Sequence, residues 1–238
     1  MRIDLIAEQQ TLAERGAQLL ADAARNAIRQ RGRFLVAVSG GTAPWIMFEA
    51  LSKLPVEWDK VHLFQVDERA APDDDPDRNL KHLRDCLIDR VALPAENVHA
   101  MPVTETDLAA AAGKYAAILR QIAGTNPVLD LVHLGLGPDG HTASLVPSDP
   151  VLDVTDRDVA ITGVYQARKR MTLTYPMINR ATQILWLVTG ANKVDPLAKL
   201  MKGDHSIPAG RIESARAVLL ADPAATAKIE TGNIDRPK

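Results

Sequence analysis

An aspartate and a histidine lie two residues apart in the stretch Gly135-Leu-Gly-Pro-Asp-Gly-His-Thr-Ala-Ser-Leu145. A neutral imidazole can accept a proton from water near neutral pH, and a carboxylate can orient the ring or support the imidazolium. We therefore predict that Asp139 and His141 face the same cavity and act together in proton transfer, rather than serving as ordinary structural residues.

The same stretch contains a complete G-x-G-x-x-G, the fingerprint of dinucleotide-binding loops. That fingerprint normally opens a helix in the first strand–helix–strand unit of a domain. Here Pro138 lies between the second and third glycines, and Pro147 and Pro150 follow soon after His141. Because prolines restrict any helix in this segment to about two turns, the pattern does not predict a nicotinamide site.

A second candidate loop is Ser39-Gly40-Gly41-Thr42, with Pro44 in the helix that follows. Glycines let the backbone approach an anion, and a helix N-terminus attracts negative charge, so the loop suits a phosphate. A tight turn that merely needs glycine is the structural alternative. Ala37-Val-Ser39-Gly-Gly also resembles a nucleophile elbow, with Asp67 and His141 as partners of Ser39, but the adjacent glycines favour a phosphate loop.

Charged residues follow two further predicted strands, in Asp67-Glu68-Arg69 and at Lys193 in Gly190-Ala-Asn-Lys. A lysine or arginine at such a position can bind phosphate, and an arginine can also stabilise a developing oxyanion. Solvated turns are the structural alternative for both segments. What favours a function is their position, because both segments follow the carboxyl ends of strands.

Strands and helices alternate along the chain. Phe34–Val38 is a continuous apolar run typical of a strand buried on both faces, and the helical spacing of apolar residues over 11–31 predicts a helix closed by Gly32. The other predicted strands cover residues 61–66, 129–134, 159–162, 171–175, 184–188 and 217–220, and the other helices cover 80–89 (with Asn79 as N-cap), 107–123 and the segment from Lys193 to Met201.

This alternation predicts an α/β fold, a Rossmann-like single domain of residues 1–238 with a mostly parallel central sheet flanked by helices. Ligands of parallel sheets bind outside the carboxyl ends of the strands. Because the four polar loops described above all leave predicted strands at that edge, we expect them to form one site.

The composition is that of an ordinary globular protein, with 46% hydrophobic and 24% charged residues among 238. A net charge of −2 and only 4% aromatic residues do not favour a nucleic-acid surface. The lone Cys86 cannot form an internal disulfide, and no apolar run approaches membrane-spanning length. We expect a cytoplasmic protein without nucleic-acid or membrane partners. The sequence does not determine the oligomeric state, and we expect a monomer or at most a weak dimer.

Cysteine and histidine patterns predict no metal site, since neither an H-E-x-x-H spacing nor a Cys/His cluster occurs. Cys86 lies in a predicted helix without a histidine nearby in the sequence, which favours a packing residue over a nucleophile. The remaining histidines are interpreted as structural residues: His62, His82, His99, His133 and His205.

Five segments together resemble the 6-phosphogluconolactonase family: Val38-Ser-Gly-Gly-Thr-Ala-Pro, Val66-Asp-Glu-Arg, Leu134-Gly-Leu-Gly-Pro-Asp-Gly-His-Thr-Ala-Ser-Leu-Val-Pro, Arg170-Met-Thr-Leu-Thr and Gly190-Ala-Asn-Lys. They occur in order from about Phe34 to Arg211, and the third is the most specific. The resemblance implies a fold of the sugar-phosphate isomerase type. It also implies hydrolysis of 6-phospho-D-glucono-1,5-lactone to 6-phosphogluconate, in the oxidative pentose phosphate pathway, without metal or cofactor.

The resemblance further implies a role for each matching residue. His141 would be the general base that activates water, and Asp139 would support it. Arg69 would assist with the phosphate or the oxyanion, while Asp67 would position Arg69 or the sugar hydroxyls. The remaining residues implied to bind substrate are Ser39, Gly40, Gly41, Thr42 and Lys193, which would hold the phosphate, and Arg170.

Two departures from the family pattern leave points open. Arg78 precedes Asn79 where the family often has serine, and Tyr165-Gln-Ala-Arg-Lys-Arg170 replaces a connection that is often proline-rich. Which of Arg168, Lys169 and Arg170 reaches the substrate is therefore open, although Arg170 matches the motif best.

Two other functions also remain as alternatives. One is a glucosamine-6-phosphate deaminase-like isomerase, whose D-G-H loop typically continues Ile-Ala-Phe-Asn-Glu-Pro where this chain has Thr-Ala-Ser-Leu-Val-Pro. The difference favours the lactonase. The other is a sugar-phosphate-binding protein without catalysis, since a fold does not determine a function.

Overall fold

The structure, a computed structural model, describes residues 1–229. Seven parallel strands form its central sheet: β1 (Arg2–Leu5), β2 (Phe34–Val38), β3 (Val61–Gln65), β5 (Val98–His99), β6 (Leu131–Leu134), β9 (Gln183–Val188) and β10 (Ala217–Ala221). Their order is β1-β10-β9-β6-β2-β3-β5. The predicted α/β fold with a mostly parallel sheet is confirmed. The predicted domain boundaries of 1–238 stay a prediction, and residues 230–238 lie outside the described residues.

Six helices cover the two faces of this sheet within the described residues: α1 (Gln9–Arg31), α2 (Thr42–Leu51), α3 (Asn79–Cys86), α4 (Leu108–Ala123), α5 (Tyr175–Asn179) and α6 (Val194–Met201). The apolar residues of α1, α2 and α3 form one core with one face of the sheet, and those of α4, α5 and α6 form the other core. Strand β2 serves both, because Val36 packs in the first core and Ala37 in the second. That explains its unbroken apolar sequence. No helix of residues 1–229 is long and apolar enough to cross a membrane.

The long first helix matches its prediction closely. Helix α1 ends at Arg31 because Gly32 adopts a left-handed conformation, with φ +74°. It begins at Gln9, where the Glu8 carboxylate accepts hydrogen bonds from the backbone N–H groups of Gln10 and Thr11.

A second, smaller sheet corrects the prediction for Asp67-Glu68-Arg69. These residues form a strand, β4 (Asp67–Arg69), and not the expected loop. Strand β4 pairs antiparallel with β8 (Arg170–Leu173), which in turn pairs with β7 (Val159–Ile161). The pairing depends on a partner about a hundred residues away in the sequence, which no local pattern in the tripeptide can indicate.

The N-cap of α3 is a second correction. Helix α3 begins at Asn79 instead of after it, and the Asn79 side chain does not cap it. The Glu68 carboxylate fills that role, since it accepts hydrogen bonds from the backbone N–H of Asn79 (2.9 Å) and of Leu80 (2.8 Å). Strand β1, strand β5 and helix α5 were not predicted, because they are short and are formed through tertiary contacts.

The order of the strands places the site. From β2 the chain proceeds outward through β3 and β5, and it then returns to β6 on the other side of β2 before reaching β9. Loops that leave β2 and β6 therefore diverge and leave a crevice at the carboxyl edge, which is where ligands bind in open α/β sheets. The loop after β9 and the small sheet border the same crevice.

Candidate active site

A cleft of about 520 Å³ opens at this edge of the sheet. The structure brings nearly all the predicted site residues to its walls: His141, Arg69, Arg170, Lys193, Asp67, Ser39, Gly40, Gly41 and Thr42. Asp139 is in direct contact with His141, as predicted from their spacing. The four polar segments thus meet in one place, although one of them is the strand β4 and not a loop.

The ring of His141 is held by Asp139. The distance from His141 Nδ1 to Asp139 Oδ1 is 2.5 Å, and the backbone N–H of His141 donates to the same oxygen over 3.2 Å. Burial raises the pKa of Asp139, but the charge of His141 and the hydrogen bonds from His141 and Tyr165 outweigh it and lower the pKa. An ionised Asp139 needs a donor, so Nδ1 carries a proton in both forms of the ring, and in the neutral form Nε2 has the free lone pair.

The glycines of the G-x-G-x-x-G pattern shape this turn. A Cβ on Gly137 would lie 2.1 Å from His141 Nδ1 and 2.7 Å from Asp139 Oδ1, so only glycine fits beside the pair. Gly140 has φ +84°, and a Cβ there would lie 2.6 Å from Ile207. No helix follows in the described chain until after Pro147, which agrees with the rejection of a dinucleotide site.

The pairing of β4 with β8 places Arg69 opposite Arg170 and Asp67 opposite Thr172. Asp67 is buried and accepts a hydrogen bond from Ser144 Oγ at 2.6 Å. Burial raises the pKa of Asp67, while the Ser144 hydrogen bond and the charge of Arg170 oppose the rise. The charge of Arg69 also opposes this rise in the pKa of Asp67, so this carboxyl group lies near both cleft arginines.

Among the three basic residues left open by the sequence, Arg170 lines the cleft. Arg168 instead forms salt bridges with Asp75 (2.9 Å) and Asp77 (3.5 Å), and Lys169 is exposed to solvent. The Arg170 side chain is buried, burial lowers its pKa, and its Nε has no hydrogen-bond partner among the described residues. Of the three it is therefore the candidate for contact with a substrate anion.

Arg69 is held at the cleft by groups that follow it in the chain. One of its Nη atoms donates to the carbonyl of Asp77 and to Asn79 Oδ1, and Asn79 Nδ2 donates to the Asp67 carbonyl over 3.1 Å. Arg78, the residue that departs from the family pattern, is buried with its Nε 3.2 Å from Glu68 Oε2. Arg78 thus supports the cleft from behind instead of lining it.

The loop after β2 has the features of an anion site. Helix α2 starts directly after Gly41, and no side chain caps its first turn. Ser39 Oγ is buried and has no hydrogen-bond partner in the described structure. The Ser39 N–H contacts Nδ1 of His133 at 3.4 Å, and burial lowers the pKa of His133 to about 3, which keeps that ring neutral.

The nucleophile elbow is not assembled. Its triad needs Asp67 to orient His141 and His141 to contact Ser39. The carboxylate on His141 is instead Asp139, the Asp67 carboxylate accepts from Ser144, and within the described residues no hydrogen bond joins Ser39 Oγ to His141.

Lys193 lies in the short turn Ala191–Lys193 just before α6, so the predicted position at a helix start is right. Burial lowers the pKa of Lys193, and the nearby negative charge of Asp139 opposes that shift. The lysine is therefore partly desolvated and close to the Asp139–His141 pair.

Several residues at the site were not singled out from the sequence. Ser144 belongs to the motif that contains His141 and could have been found there. Trp45 and His82, whose stacked rings are 5.3 Å apart, line one wall of the cleft, which gives His82 a position at the site that its sequence context did not indicate. Tyr165 donates its hydroxyl to Asp139 Oδ2 over 3.0 Å.

The other side chains weighed from the sequence lie away from the cleft. Cys86 is buried, and burial raises the pKa of its thiol to about 12, which does not suit a nucleophile. The rings of His62 and His99 stack on each other in the interior. No group of three or more His, Cys, Asp or Glu side chains within residues 1–229 is arranged to hold a metal ion.

The fold and the cleft together define an α/β protein with an Asp–His pair and three cationic side chains at the carboxyl edge of its parallel sheet. A family model described as "Glucosamine-6-phosphate isomerases/6-phosphogluconolactonase" matches residues 7–220. The chain belongs to this family.

Named relatives and solved structures agree with that membership. A 6-phosphogluconolactonase of Nostoc sp. is 38% identical over 235 residues, covering 95% of this chain and 98% of the relative. The crystal structure of a 6-phosphogluconolactonase from Thermotoga maritima is similar with a TM-score of 0.83 and 25% identity, covering 93% of this chain and 98% of that one. A monomeric glucosamine-6-phosphate deaminase shares the fold with a TM-score of 0.82 at 17% identity, covering 95% of this chain and 99% of that one.

Proposed function

We propose that this protein hydrolyses 6-phospho-D-glucono-1,5-lactone to 6-phospho-D-gluconate, as a step of the pentose phosphate pathway. The names of its relatives support the substrate, since the Nostoc protein and a Mycobacterium tuberculosis protein 35% identical over 241 residues are both 6-phosphogluconolactonases. The single observation that carries the chemistry is the Asp139–His141 contact of 2.5 Å beside a cleft that holds three cationic side chains.

In the proposed reaction His141 is the general base. Its Nε2 removes a proton from a water molecule while the water oxygen forms a bond to the lactone carbonyl carbon. The carbonyl electron pair moves onto oxygen and gives a tetrahedral oxyanion. The oxyanion then collapses, the bond to the ring oxygen breaks, and the ring oxygen takes the proton from the imidazolium. The product acid ionises to a carboxylate and releases a proton to solvent.

Asp139 supports this cycle electrostatically. A carboxylate on Nδ1 keeps the tautomer in which Nε2 is the base, and it stabilises the imidazolium that forms during attack. The lowered pKa of Asp139 keeps it ionised across the neutral range. Asp139 therefore stays ionised throughout the cycle and does not take up a proton.

The phosphate is assigned to the glycine loop and Lys193. The uncapped first turn of α2, the unpartnered Ser39 hydroxyl and the Thr42 side chain give donors and a favourable dipole for an anion. Lys193 adds a desolvated positive charge. Arg69 and Arg170, which lie opposite each other on β4 and β8, would bind the oxyanion of the reaction or a phosphate oxygen. Asp67 is near both and would position them.

A deaminase-like isomerase is the second candidate function, because the fold likeness to the monomeric deaminase is as close as that to the lactonases. Release of ammonia from glucosamine 6-phosphate, without lactone turnover, would identify it. Binding of 6-phosphogluconate with neither activity would identify the non-catalytic alternative.

Three further properties predicted from the sequence remain proposals: independence of metal ions, a cytoplasmic location and a monomeric or weakly dimeric state. The lone Cys86 supports the location, and the general-base pair supports the metal-free reaction, since it supplies the nucleophile by itself.

The proposal is tested by comparing the phosphorylated lactone with unphosphorylated gluconolactone. Lys193→Ala should raise KM for the phosphorylated lactone about tenfold to a hundredfold, because one charge-assisted hydrogen bond is lost. Turnover of gluconolactone should stay within about twofold of wild type. Lys202→Ala, at an exposed lysine just after α6, is the matched control. Equal losses on both lactones would contradict the phosphate role, and absence of wild-type turnover would contradict the function.

A further inference from the structure

A tight hairpin connects β7 to β8 beside the Asp139–His141 pair. Tyr165 and Arg168 pair through two backbone hydrogen bonds of 2.9 and 3.2 Å, so the loop between them has two residues. Those residues, Gln166 and Ala167, have φ of +50° and +65°. Both central residues are thus left-handed, as in a type I′ turn, although neither is the glycine or asparagine that usually occupies such positions. Side chains in this conformation are uncommon outside sites where surrounding contacts hold them.

The hairpin uses Tyr165 to contact the proton-transfer pair. The Tyr165 hydroxyl donates to Asp139 Oδ2 over 3.0 Å, on the oxygen that His141 does not use. The edge of the Tyr165 ring also faces the His141 ring, with centroids 5.6 Å apart and planes at 66°. Both carboxylate oxygens of Asp139 are therefore held, one by the base and one by the tyrosine.

The same hairpin holds Arg170. Its guanidinium carbon lies 4.9 Å from the centroid of the Tyr165 ring, a cation–π geometry. Its Nη2 donates to Gln166 Oε1 over 2.8 Å. Tyr165 and its neighbour thus orient a cationic side chain that lines the cleft.

We propose that Tyr165 is a positioning residue that fixes Asp139 through its hydroxyl and Arg170 through its ring, and so links the base of the reaction to a substrate-binding cation. This inference rests on the proposed function. It concerns the segment in which this chain departs from the proline-rich connection expected of the family, and so it is a property of this chain's own residues.

The two halves of the tyrosine predict separable effects. The hydroxyl withdraws charge from the Asp139 carboxylate, so its loss leaves a carboxylate that favours the protonated form of the neighbouring imidazole more strongly. Because a protonated ring cannot act as a base, the acidic limb of the kcat/KM profile should move to higher pH. Among the described residues, Lys193 lies near Asp139 and Arg170 lies on the Tyr165 ring, and both charges are the same in the wild type and the variant.

Two variants separate the roles. Tyr165→Phe removes the hydroxyl and keeps the ring, so kcat should fall about threefold to tenfold, the worth of one hydrogen bond, with KM nearly unchanged and the acidic limb about half a pH unit higher. Tyr165→Leu also removes the ring, so KM should rise in addition by about fivefold to tenfold as Arg170 loses its cation–π contact. Tyr165→Phe, which has the ring without the hydroxyl, should therefore have a KM near wild type but keep the shifted pH profile.

The matched control is Tyr175→Phe. Tyr175 also donates its hydroxyl, to the carbonyl of Pro208 over 2.9 Å, and also carries a guanidinium over its ring, that of Arg211 at 5.8 Å. Its hydroxyl and ring are thus engaged with Pro208 and Arg211, and not with Asp139 and His141. Tyr175→Phe should leave the acidic limb at its wild-type pH, even if its melting temperature falls.

A second readout needs no turnover. ¹⁵N NMR of the His141 ring in wild-type protein and Tyr165→Phe follows ring protonation directly, and it should show protonation at higher pH in the variant. If wild-type protein does not hydrolyse the lactone, the proposed function fails, and this measurement decides the role of Tyr165 by itself. A ring that protonates at the same pH in both proteins, or a shift of equal size in Tyr175→Phe, would overturn the proposal.

Discussion

Glu68 is the carboxylate that ties the small sheet to helix α3, and its replacement by glutamine gives the sharpest structural prediction. The side chain is fully buried. Oε1 accepts the backbone N–H groups of Arg69 and Asn79 at 2.8 and 2.9 Å, and Oε2 accepts that of Leu80 at 2.8 Å and Gln65 Nε2 at 2.9 Å. A glutamine can offer only one oxygen, so whichever way its amide points, two of these donors lose their acceptor.

The substitution also removes the charge that compensates Arg78, whose side chain is 2% exposed. Breaking a buried ion pair costs about 3–5 kcal/mol. Arg78 keeps the carbonyl of Ala71 at 2.8 Å and Asp73 at 3.1 Å as partners, so we expect the lower end, about 3 kcal/mol. For a chain of this size that corresponds to a fall in Tm of about 6–12 °C.

The assay is thermal and urea unfolding of Glu68→Gln beside Glu49→Gln. Glu49 forms surface ion pairs with Arg90 at 3.0 Å and with Lys53 at 4.0 Å, and its side chain is nearly half exposed. Its replacement should therefore cost less than about 1 kcal/mol. Adding Arg78→Met to Glu68→Gln should recover part of the loss, because the unpaired charge is then gone. A Tm for Glu68→Gln within about 2 °C of wild type would refute the reasoning.

Two further predictions concern the turn at His141 and the stability in acid. Gly137→Ala should lower kcat about a hundredfold, because the added Cβ would displace the His141 ring. Gly135→Ala should stay active, because its Cβ would meet nothing within 4 Å. Steady-state kinetics in which the two variants have equal kcat would contradict this prediction. Burial lowers the pKa of His99 from 6.5 to about 4 in the folded protein. Between pH 6.5 and pH 4 the imidazole is therefore protonated in the unfolded chain only, and the free energy of unfolding falls as the pH is lowered through this range. In urea titrations the free energy of unfolding should fall between pH 7 and pH 4.5 by about 2 kcal/mol less in His99→Phe than in wild type. An equal fall in the two proteins would contradict the prediction.

Much of the fold could be predicted because its signals are local. Strand β2 is a run of five apolar residues buried on both faces, and α1 has an amphipathic pattern that ends at a left-handed glycine. The loops could be placed together because parallel strands share a carboxyl edge. For that reason the sequence alone predicts that His141, Arg69 and Lys193 lie near one another.

The small sheet could not be predicted in the same way. Asp67-Glu-Arg has no strand pattern of its own, and it becomes β4 only through pairing with Arg170–Leu173. Asn79 is a good N-cap residue in any local scale, but a buried carboxylate from the neighbouring strand competes better for the helix N–H groups. Tertiary contact decided both cases.

The same limit applies to the site. The contact of Asp139 with His141 follows from a spacing of two residues, whereas the contact with Tyr165 spans 26 positions. The choice of Arg170 over Arg168 depended on which way the hairpin directs each side chain, and Arg168 pairs with the aspartates of another loop. Sequence patterns indicated the residue types, and only the fold could separate them.

The central claim is that His141 acts as the base in lactone hydrolysis. Its most direct test is turnover of freshly made 6-phosphogluconolactone by wild-type protein, His141→Ala and His205→Ala, each corrected for spontaneous hydrolysis, with folding checked by circular dichroism. His205 is an exposed histidine outside the cleft. We predict that kcat falls by about a hundredfold to ten-thousandfold in His141→Ala and stays near wild type in His205→Ala. A kcat for folded His141→Ala within about threefold of wild type would contradict the account.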